Sequence, residues 1–255
     1  MSEETQSGIY IFCGIQTEAD ADFGSIEFEG EKRKLFAIRY QDAAIIAAEV
    51  PMKIYQPNKQ NLMMHQDVVA QVMKQNNTVI PVSFGNVFHS KEDVAVLLEN
   101  LYPQFEKLFP AIKGKRELGL KVFGKKAWLE SQVKENSQIE KMAHAIKGKS
   151  EAASYYERVQ LGGAAQKIVA SLQNKIKQEI FQPLQELAEA SKANEPIGER
   201  MLLNGAFLVD RDQEAAFDKL VNALHEKWQD QLEFSYSGPW PAYNFVNIRL
   251  KVEDA

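Results

Sequence analysis

The chain has 255 residues, of which 45% are hydrophobic and 25% charged, and its formal net charge is −5. This balance is typical of a folded protein with a sizeable core, and it excludes a mainly disordered chain. The mild acidity argues against a dedicated nucleic-acid binder, whose affinity depends on clustered Lys and Arg. No run approaches about 18 apolar residues, and the acidic start lacks a signal-peptide pattern. We therefore expect a cytoplasmic protein with no lipid-membrane partner.

Four apolar runs rich in aromatic and β-branched residues predict strands in the first part of the chain. These runs are residues 9–15, 35–40, 43–50 and 78–82. Gln41 and Asp42 separate the second run from the third, which predicts a hairpin. Apolar residues at helical spacing after Pro57 predict a helix of about four turns.

The clearest predicted helix begins at a capping box formed by Ser90 and Asp93. In this motif the serine hydroxyl accepts from a backbone N–H three residues on, while the carboxylate reaches back. Apolar residues follow at helical spacing over residues 94–108. Pro110 and Gly114 then predict a break in the helix and a domain boundary.

The second half begins with a strand pattern at residues 117–123 and continues with charged, alanine-rich sequence that predicts only helices to about Ala190. Glycine and proline predict interruptions of these helices. The predicted interruptions are at Gly148, Gly162, Gly163 and Pro183.

The last part predicts a return to mixed structure. Residues 201–209 are apolar and predict one or two strands around Asn204 and Gly205, followed by a helix with an apolar stripe over residues 217–228 and a strand at residues 232–236. Two prolines within residues 238–246 exclude a helix there and favour an extended path. Interleaved strands and helices predict two α+β domains, with a helical insertion in the second.

Charge is distributed unevenly along the chain. Residues 1–31 hold eight acidic side chains and no Lys or Arg, whereas residues 113–149 hold ten basic and four acidic side chains. Lys121, Lys125 and Lys126 belong to the basic stretch. Such faces either dock on surfaces of opposite sign or are solvated surfaces that maintain solubility.

No pattern of residues predicts catalysis. The Gly162-Gly163 pair lacks the Lys and Ser or Thr of a phosphate-binding loop, and neither a Gly-x-Ser-x-Gly turn nor a His-Glu-x-x-His helix is present. His65 falls on the apolar face of its helix, which indicates a packed histidine, and Cys13 lies in a buried strand, where thiols are usually inert. We predict no catalytic residue, no cofactor and no metal site.

The aromatic, proline-rich segment near the C-terminus is the most unusual local feature. Trp240, Tyr243 and Phe245 offer a large apolar area on a segment with little conformational freedom to lose, which suits docking into a groove. The groove belongs either to a partner or to the same chain, where the segment would fasten two domains together.

These residues together resemble the gas vesicle protein GvpF/GvpL family. Residues 238–246, Gly-Pro-Trp-Pro-Ala-Tyr-Asn-Phe-Val, are similar to the family signature, in which Gly-Pro-Trp-Pro-Pro-Tyr-Asn-Phe is usual, and Ala242 replaces the second proline. Further similar segments occur in family order over nearly the whole chain. They are residues 39–42, 61–66, 79–88, 117–123 and 208–211.

The resemblance implies a minor, non-enzymatic protein that takes part in assembly of the gas vesicle shell. Its implied partners are the hydrophobic shell-forming protein, of the GvpA type, and other accessory gas vesicle proteins. The implied fold has an α+β domain at residues 1–112 and a ferredoxin-like domain with inserted helices at 113–237. An extended tail at 238–255 would pack between them.

Partner contacts are expected at Trp240, Tyr243 and Phe245 of the tail and at Lys121, Lys125 and Lys126. One alternative is a ferredoxin-like small-molecule-binding regulator or enzyme with an interdomain site. Another is RNA binding on an open sheet, although the basic and aromatic strand signature of such sheets is missing.

Overall fold

A computed structural model describes residues 6–18, 21–150 and 152–248. Glu3, Glu4 and Asp20 of the acidic stretch lie outside the described residues, as do residues 249–255 of the predicted tail. The chain combines helices with antiparallel sheet, as predicted for the α+β class. It divides into two compact units, of which unit 1 contains residues 1–117 and 239–255 and unit 2 contains residues 118–238.

The described residues of unit 1 form six strands and two helices before the division. They are β1 (Ser7–Gln16), β2 (Ser25–Phe28), β3 (Glu31–Tyr40), β4 (Ala43–Pro51), α1 (Lys59–Gln75), β5 (Val79–Pro81), β6 (Val87–Phe88) and α2 (Lys91–Ile112). The sheet order is β2-β3-β4-β1-β5, with β6 also paired to β1. The predicted hairpin is confirmed, because Tyr40 lies opposite Ala43 across the two-residue turn.

The sheet of unit 1 is packed on both faces. Val68 and Val72 of α1 join one hydrophobic cluster with Tyr10 and Phe12 of β1. A Cβ on Gly14 would lie 2.5 Å from Cε2 of Phe105 in α2, so glycine is needed for this helix to approach the strand. The two helices therefore bury both faces of the central strand.

The capping box at the start of α2 is confirmed, and the helix ends at Ile112, between Pro110 and Gly114, where the break was predicted. Ser90 Oγ accepts from the N–H of Asp93, whose carboxylate accepts from the N–H of Ser90, both at 3.1 Å. The helix continues through Pro103 and Pro110. Both prolines lie on its exposed side, where the carbonyls left without a partner can bond to water, while the opposite side stays buried.

Unit 2 contains five α-helices and a four-stranded sheet among its described residues. They are β7 (Lys115–Gly124), α3 (Lys126–Lys134), α4 (Ser137–Ile146), α5 (Tyr155–Ile176), α6 (Gln182–Gln185), β8 (Ala190–Asn194), β9 (Met201–Asp210), α7 (Glu214–Trp228) and β10 (Leu232–Trp240). The sheet order is β10-β7-β9-β8. The division between the units falls within β7 and within β10.

The predicted helix interruptions at the Gly162-Gly163 pair and at Pro183 are wrong. α5 runs through Gly162 and Gly163 without a break, and a π-helical segment (Lys177–Phe181) joins it to α6, where Pro183 lies in the first turn. Proline is tolerated there because the wider π hydrogen-bond pattern accommodates its missing N–H. Gly148, whose φ is 86°, does follow the end of α4.

Residues 201–209 form a single strand rather than two. β9 is buried at every position from Met201 to Val209 except Asn204. Gly205 stays within the strand because its missing side chain leaves room for the Phe207 ring, which lies 2.8 Å from the position a Cβ would take.

Candidate functional site

The aromatic tail folds into a turn in unit 1. Trp240 is the last residue of β10, Ala242 is 3% exposed, and the N–H groups of Phe245 and Val246 both donate to the carbonyl of Ala242 at 3.0 Å. The predicted extended path is therefore correct only as far as Trp240. A proline fixes its own φ and leaves the residues after it free to turn.

A buried carboxylate holds this turn in place. Glu117 is 5% exposed, and its Oε2 and Oε1 accept from the backbone N–H and the side-chain Nδ2 of Asn244 at 2.7 and 2.6 Å. Glu117 and Asn244 therefore anchor the tail to unit 1.

The anchored turn borders a cleft of about 380 Å³ in unit 1. Apolar side chains of β1, β4 and α2 line the cleft together with the tail. They include Ile11, Ile45, Leu101, Phe105, Tyr243 and Val246. Tyr243 is 38% exposed, whereas Trp240 and Phe245 are half-buried, so Tyr243 is the predicted contact residue of the tail that presents most surface.

His65 belongs to a closed hydrogen-bond chain in the interior of unit 1. Its Nε2 lies 3.0 Å from the Val82 carbonyl, its Nδ1 lies 3.0 Å from the Tyr10 hydroxyl, and that hydroxyl accepts from the N–H of Gly85 at 3.0 Å. The carbonyl requires a proton on Nε2, so Nδ1 accepts from Tyr10. Burial lowers the pKa of His65 below its ordinary 6.5, with the Val82 hydrogen bond opposing it. The prediction of a packed histidine is confirmed.

The predicted contact lysines belong to unit 2. Lys121 is exposed on β7, Lys125 is half-buried directly before α3, and Lys126 is the exposed first residue of that helix. The three tail aromatics belong to unit 1. Of the three lysines, Lys126 lines a groove that no sequence pattern predicts.

This groove runs along one side of α5 and is called the α5 groove below. It consists of two adjoining hollows of about 700 and 1060 Å³, which share Val133 and Lys134 of α3. Their floor is a stripe of α5 with helical spacing, and their walls come from α3, α4 and the segment at residues 197–201. The floor residues are Leu161, Gly162, Ala165, Ile168, Val169 and Leu172.

Basic side chains outnumber acidic ones on the rim of the α5 groove, although Glu130 and Glu199 border the smaller hollow and Glu130 pairs with Lys134 at 3.6 Å. The larger hollow is bordered by four bases and one acid, Glu140. The bases are Lys134, Lys147, Lys149 and Arg158. An apolar floor with a positive rim favours a ligand that is apolar on one side and acidic on its flanks.

Apolar side chains next to the groove are exposed to solvent. Tyr155 and Val159 are 63% and 56% exposed. Gly162 follows Tyr155 by seven residues and Val159 by three, so all three lie on one side of the helix and the two side chains lie beside the groove floor. Tyr156 is 79% exposed. The sequence shows the helical repeat at Ile168 and Leu172, but the break expected at Gly162 and Gly163 conceals its continuation to Leu161.

Other kinds of site are not formed by the described residues. Within residues 6–18, 21–150 and 152–248, no group of three or more His, Cys, Asp or Glu side chains is placed to hold a metal ion. In the same part of the chain, no helix is both long and apolar enough to cross a membrane. Cys13 is fully buried and burial raises the pKa of its thiol, as expected for a packing residue.

Comparison with protein families places most of the chain in one of them. Residues 8–247 match the family described as gas vesicle synthesis protein GvpL/GvpF. Gas vesicle protein F of Nostoc sp. (strain PCC 7120) is 26% identical over 246 residues, covering 95% of this chain and 99% of the relative. Gas vesicle protein F1 of Halobacterium salinarum is 21% identical and covers 94% of this chain and 93% of its own.

Solved structures share the fold. The crystal structure of the gas vesicle protein GvpF from Anabaena sp. PCC7120 gives a TM-score of 0.82 at 23% identity, covering 96% of this chain and all of that one. The GvpF structure from Microcystis aeruginosa gives a TM-score of 0.80 at 22% identity, covering 93% of this chain and 98% of its own.

Proposed function

The chain belongs to the GvpL/GvpF family of gas vesicle synthesis proteins, and from this premise we propose that it takes part in assembly of the gas vesicle shell by binding the shell-forming subunit. Other accessory gas vesicle proteins are further partners in this proposal, and nucleic acid and lipid membrane are not. The protein acts without catalysis, in the cytoplasm, as a minor or transient component of the vesicle. The observation that carries the proposal is the family match over residues 8–247.

The physical need for such a protein follows from the shell itself. A subunit of a shell that encloses gas exposes an apolar face, and that face promotes aggregation before assembly. A partner that covers it keeps the subunit available for addition to the shell. Exposed apolar side chains such as Tyr156 and Val159 support this role, since proteins use such surfaces for contacts.

We propose a ferredoxin-like organisation for unit 2. Several helices connect β7 to β8, β9 follows β8 without an intervening α-helix, and α7 connects β9 to β10. The strands lie in the order β10-β7-β9-β8. This is a split βαβ arrangement, with the helices from α3 to α6 occupying the first connection. The predicted packing of the tail between two domains stays a prediction.

The proposed partner contacts are Tyr243, Trp240 and Phe245 of the tail and Lys121, Lys125 and Lys126 of unit 2. We expect Tyr243 and the exposed lysines Lys121 and Lys126 to contribute most to binding, because they present the most surface to a partner.

Co-expression with the shell-forming protein tests the function. We expect the tagged chain to increase the soluble fraction of the shell protein and to co-purify with it, and we expect a deletion host to lack vesicles until the wild-type gene is restored. A variant that combines Tyr243→Ala, Lys121→Glu and Lys126→Glu should solubilise less of the shell protein and co-purify less of it. Lys192→Glu, at an exposed lysine of β8, should change neither measurement. The absence of co-purification together with normal vesicles in the deletion host would reject the proposal.

A further inference from the structure

We propose that the α5 groove is a docking site for an acidic amphipathic α-helix of a partner protein. The inference goes beyond the proposed function, because it assigns a surface and a ligand chemistry that do not depend on which protein carries the helix. Three properties of the groove support it: its shape, its floor and its charge.

The shape of the groove fits a helix. The floor stripe extends along α5 from Leu161 to Leu172. Measured from Arg158 on the rim to Leu172, the groove spans 14 residue steps of the helix. At about 1.5 Å per residue this is roughly 21 Å, the length of about four helical turns. A groove between α5 and the helices α3 and α4 accommodates such a cylinder, and an amphipathic helix laid in an apolar groove is a common mode of peptide recognition.

The floor of the larger hollow is open above Gly162. A Cβ on Gly162 would meet no atom within 4 Å, so the fold of this chain does not need glycine there. Glycine inside a helix nevertheless destabilises it by about 1 kcal/mol relative to alanine. A glycine at this position allows the backbone of a bound helix to approach α5 closely at Gly162 and Ala165.

The charge of the groove specifies the ligand. Lys126 and Lys147 on the rim form no ion pair within the described part of the chain, whereas Lys149 is paired with Glu157 at 2.9 Å. Two uncompensated ammonium groups beside an apolar floor attract carboxylates placed along the flanks of an apolar helix face. A basic helix of the same shape would be repelled.

Synthetic peptides and the full-length chain test the proposal directly. The probe is a helical peptide of about 15 residues with leucine and alanine on one face and glutamate on both flanks. A second peptide replaces every glutamate by lysine, and a third has the composition of the first in scrambled order. Binding is measured by fluorescence anisotropy, with the salt concentration varied.

We expect the acidic peptide to bind at least about tenfold more tightly than either control peptide, and more weakly as salt increases. Gly162→Leu fills the floor of the groove and should reduce binding at least about tenfold. Gly163→Leu is the matched control, since a Cβ there also meets no atom within 4 Å but the residue does not line the groove. Lys147→Glu should weaken binding, and Lys192→Glu should not.

Circular dichroism and thermal melting verify that each variant is folded, and both leucine variants should be at least as stable as the wild type. Equal binding of the acidic and basic peptides, or no binding of any of the three, would overturn the proposal. So would equal effects of Gly162→Leu and Gly163→Leu. A concentration-dependent dimer that Gly162→Leu abolishes would also overturn it, because a second copy of the chain would then occupy the groove.

Discussion

The interior of unit 1 and the α5 groove of unit 2 use the same kinds of residues in opposite ways. In unit 1, polar side chains close hydrogen-bond networks and apolar side chains fill both faces of a sheet. Examples are Tyr10 with His65 and Glu117 with Asn244. Along α5, apolar side chains line an open groove, and all of them except Leu172 remain partly exposed.

Glycine shows this difference most directly. At Gly14 the neighbouring Phe105 ring fills the space a side chain would need, whereas at Gly162 and Gly163 that space is empty. The interior of unit 1 is therefore packed for stability, whereas the α5 groove leaves space for a ligand. Changes in the first region should therefore destabilise the fold, and changes in the second should not.

The largest expected effect is the loss of the Glu117 anchor. Glu117→Ala should lower the free energy of unfolding by about 3 kcal/mol, because two donors of Asn244 lose their acceptor in a buried position. Urea denaturation measures the change. Glu106→Ala, at an exposed glutamate of α2, should change the free energy by less than about 0.5 kcal/mol. Similar losses in the two variants would contradict the anchor.

A side chain at Gly14 should produce the next largest effect. Gly14→Ala places a methyl group 2.5 Å from Cε2 of Phe105, so α2 or the ring must shift. Overpacking of this kind costs about 2 kcal/mol, which the urea midpoint would report. If the stability of Gly14→Ala equals that of the wild type, the close approach of α2 to β1 is wrong.

The His65 network should make unit 1 sensitive to acid. The pKa of His65 is lowered in the fold, so below the ordinary value of 6.5 the unfolded chain binds the proton more readily than the folded chain. Stability is therefore complete above about pH 6.5 and falls as the pH drops below it, by up to about 1.4 kcal/mol per pH unit.

Two histidine variants test whether His65 is the source of this pH dependence. His65→Gln should be less stable at neutral pH, and the free energy of unfolding should depend less on pH between about 6.5 and 5.5. His89→Gln, at an exposed histidine of unit 1, should retain the pH dependence of the wild type. An unchanged pH dependence in His65→Gln would exclude His65 as its source.

Sequence patterns predict unit 1 better than unit 2, and the reason lies in the residues. The strands of unit 1 are apolar, so β1, β3, β4 and β5 were expected where they occur. β8 was missed because its sequence, Ala-Ser-Lys-Ala-Asn, has no β-branched or aromatic residue, and pairing with β9 decides its conformation.

The candidate sites divide in the same way. The importance of the tail was visible in its aromatic and proline composition, but its partner Glu117 lies 127 residues earlier in the chain and no local pattern connects the two. The α5 groove was hidden because helix propensity argued for a break at Gly162 and Gly163. Packing of apolar side chains after the pair overrides that preference, as Leu172 and Ile176 are buried.

The smallest expected effect has the opposite sign and completes the comparison with Gly14. Gly163→Ala should raise the free energy of unfolding by about 1 kcal/mol, because alanine favours the helix and its methyl group meets no atom within 4 Å. Thermal melting measures the gain. A loss of stability in Gly163→Ala would mean that the space above α5 is already filled by the folded chain, and the contrast between the two regions would fail.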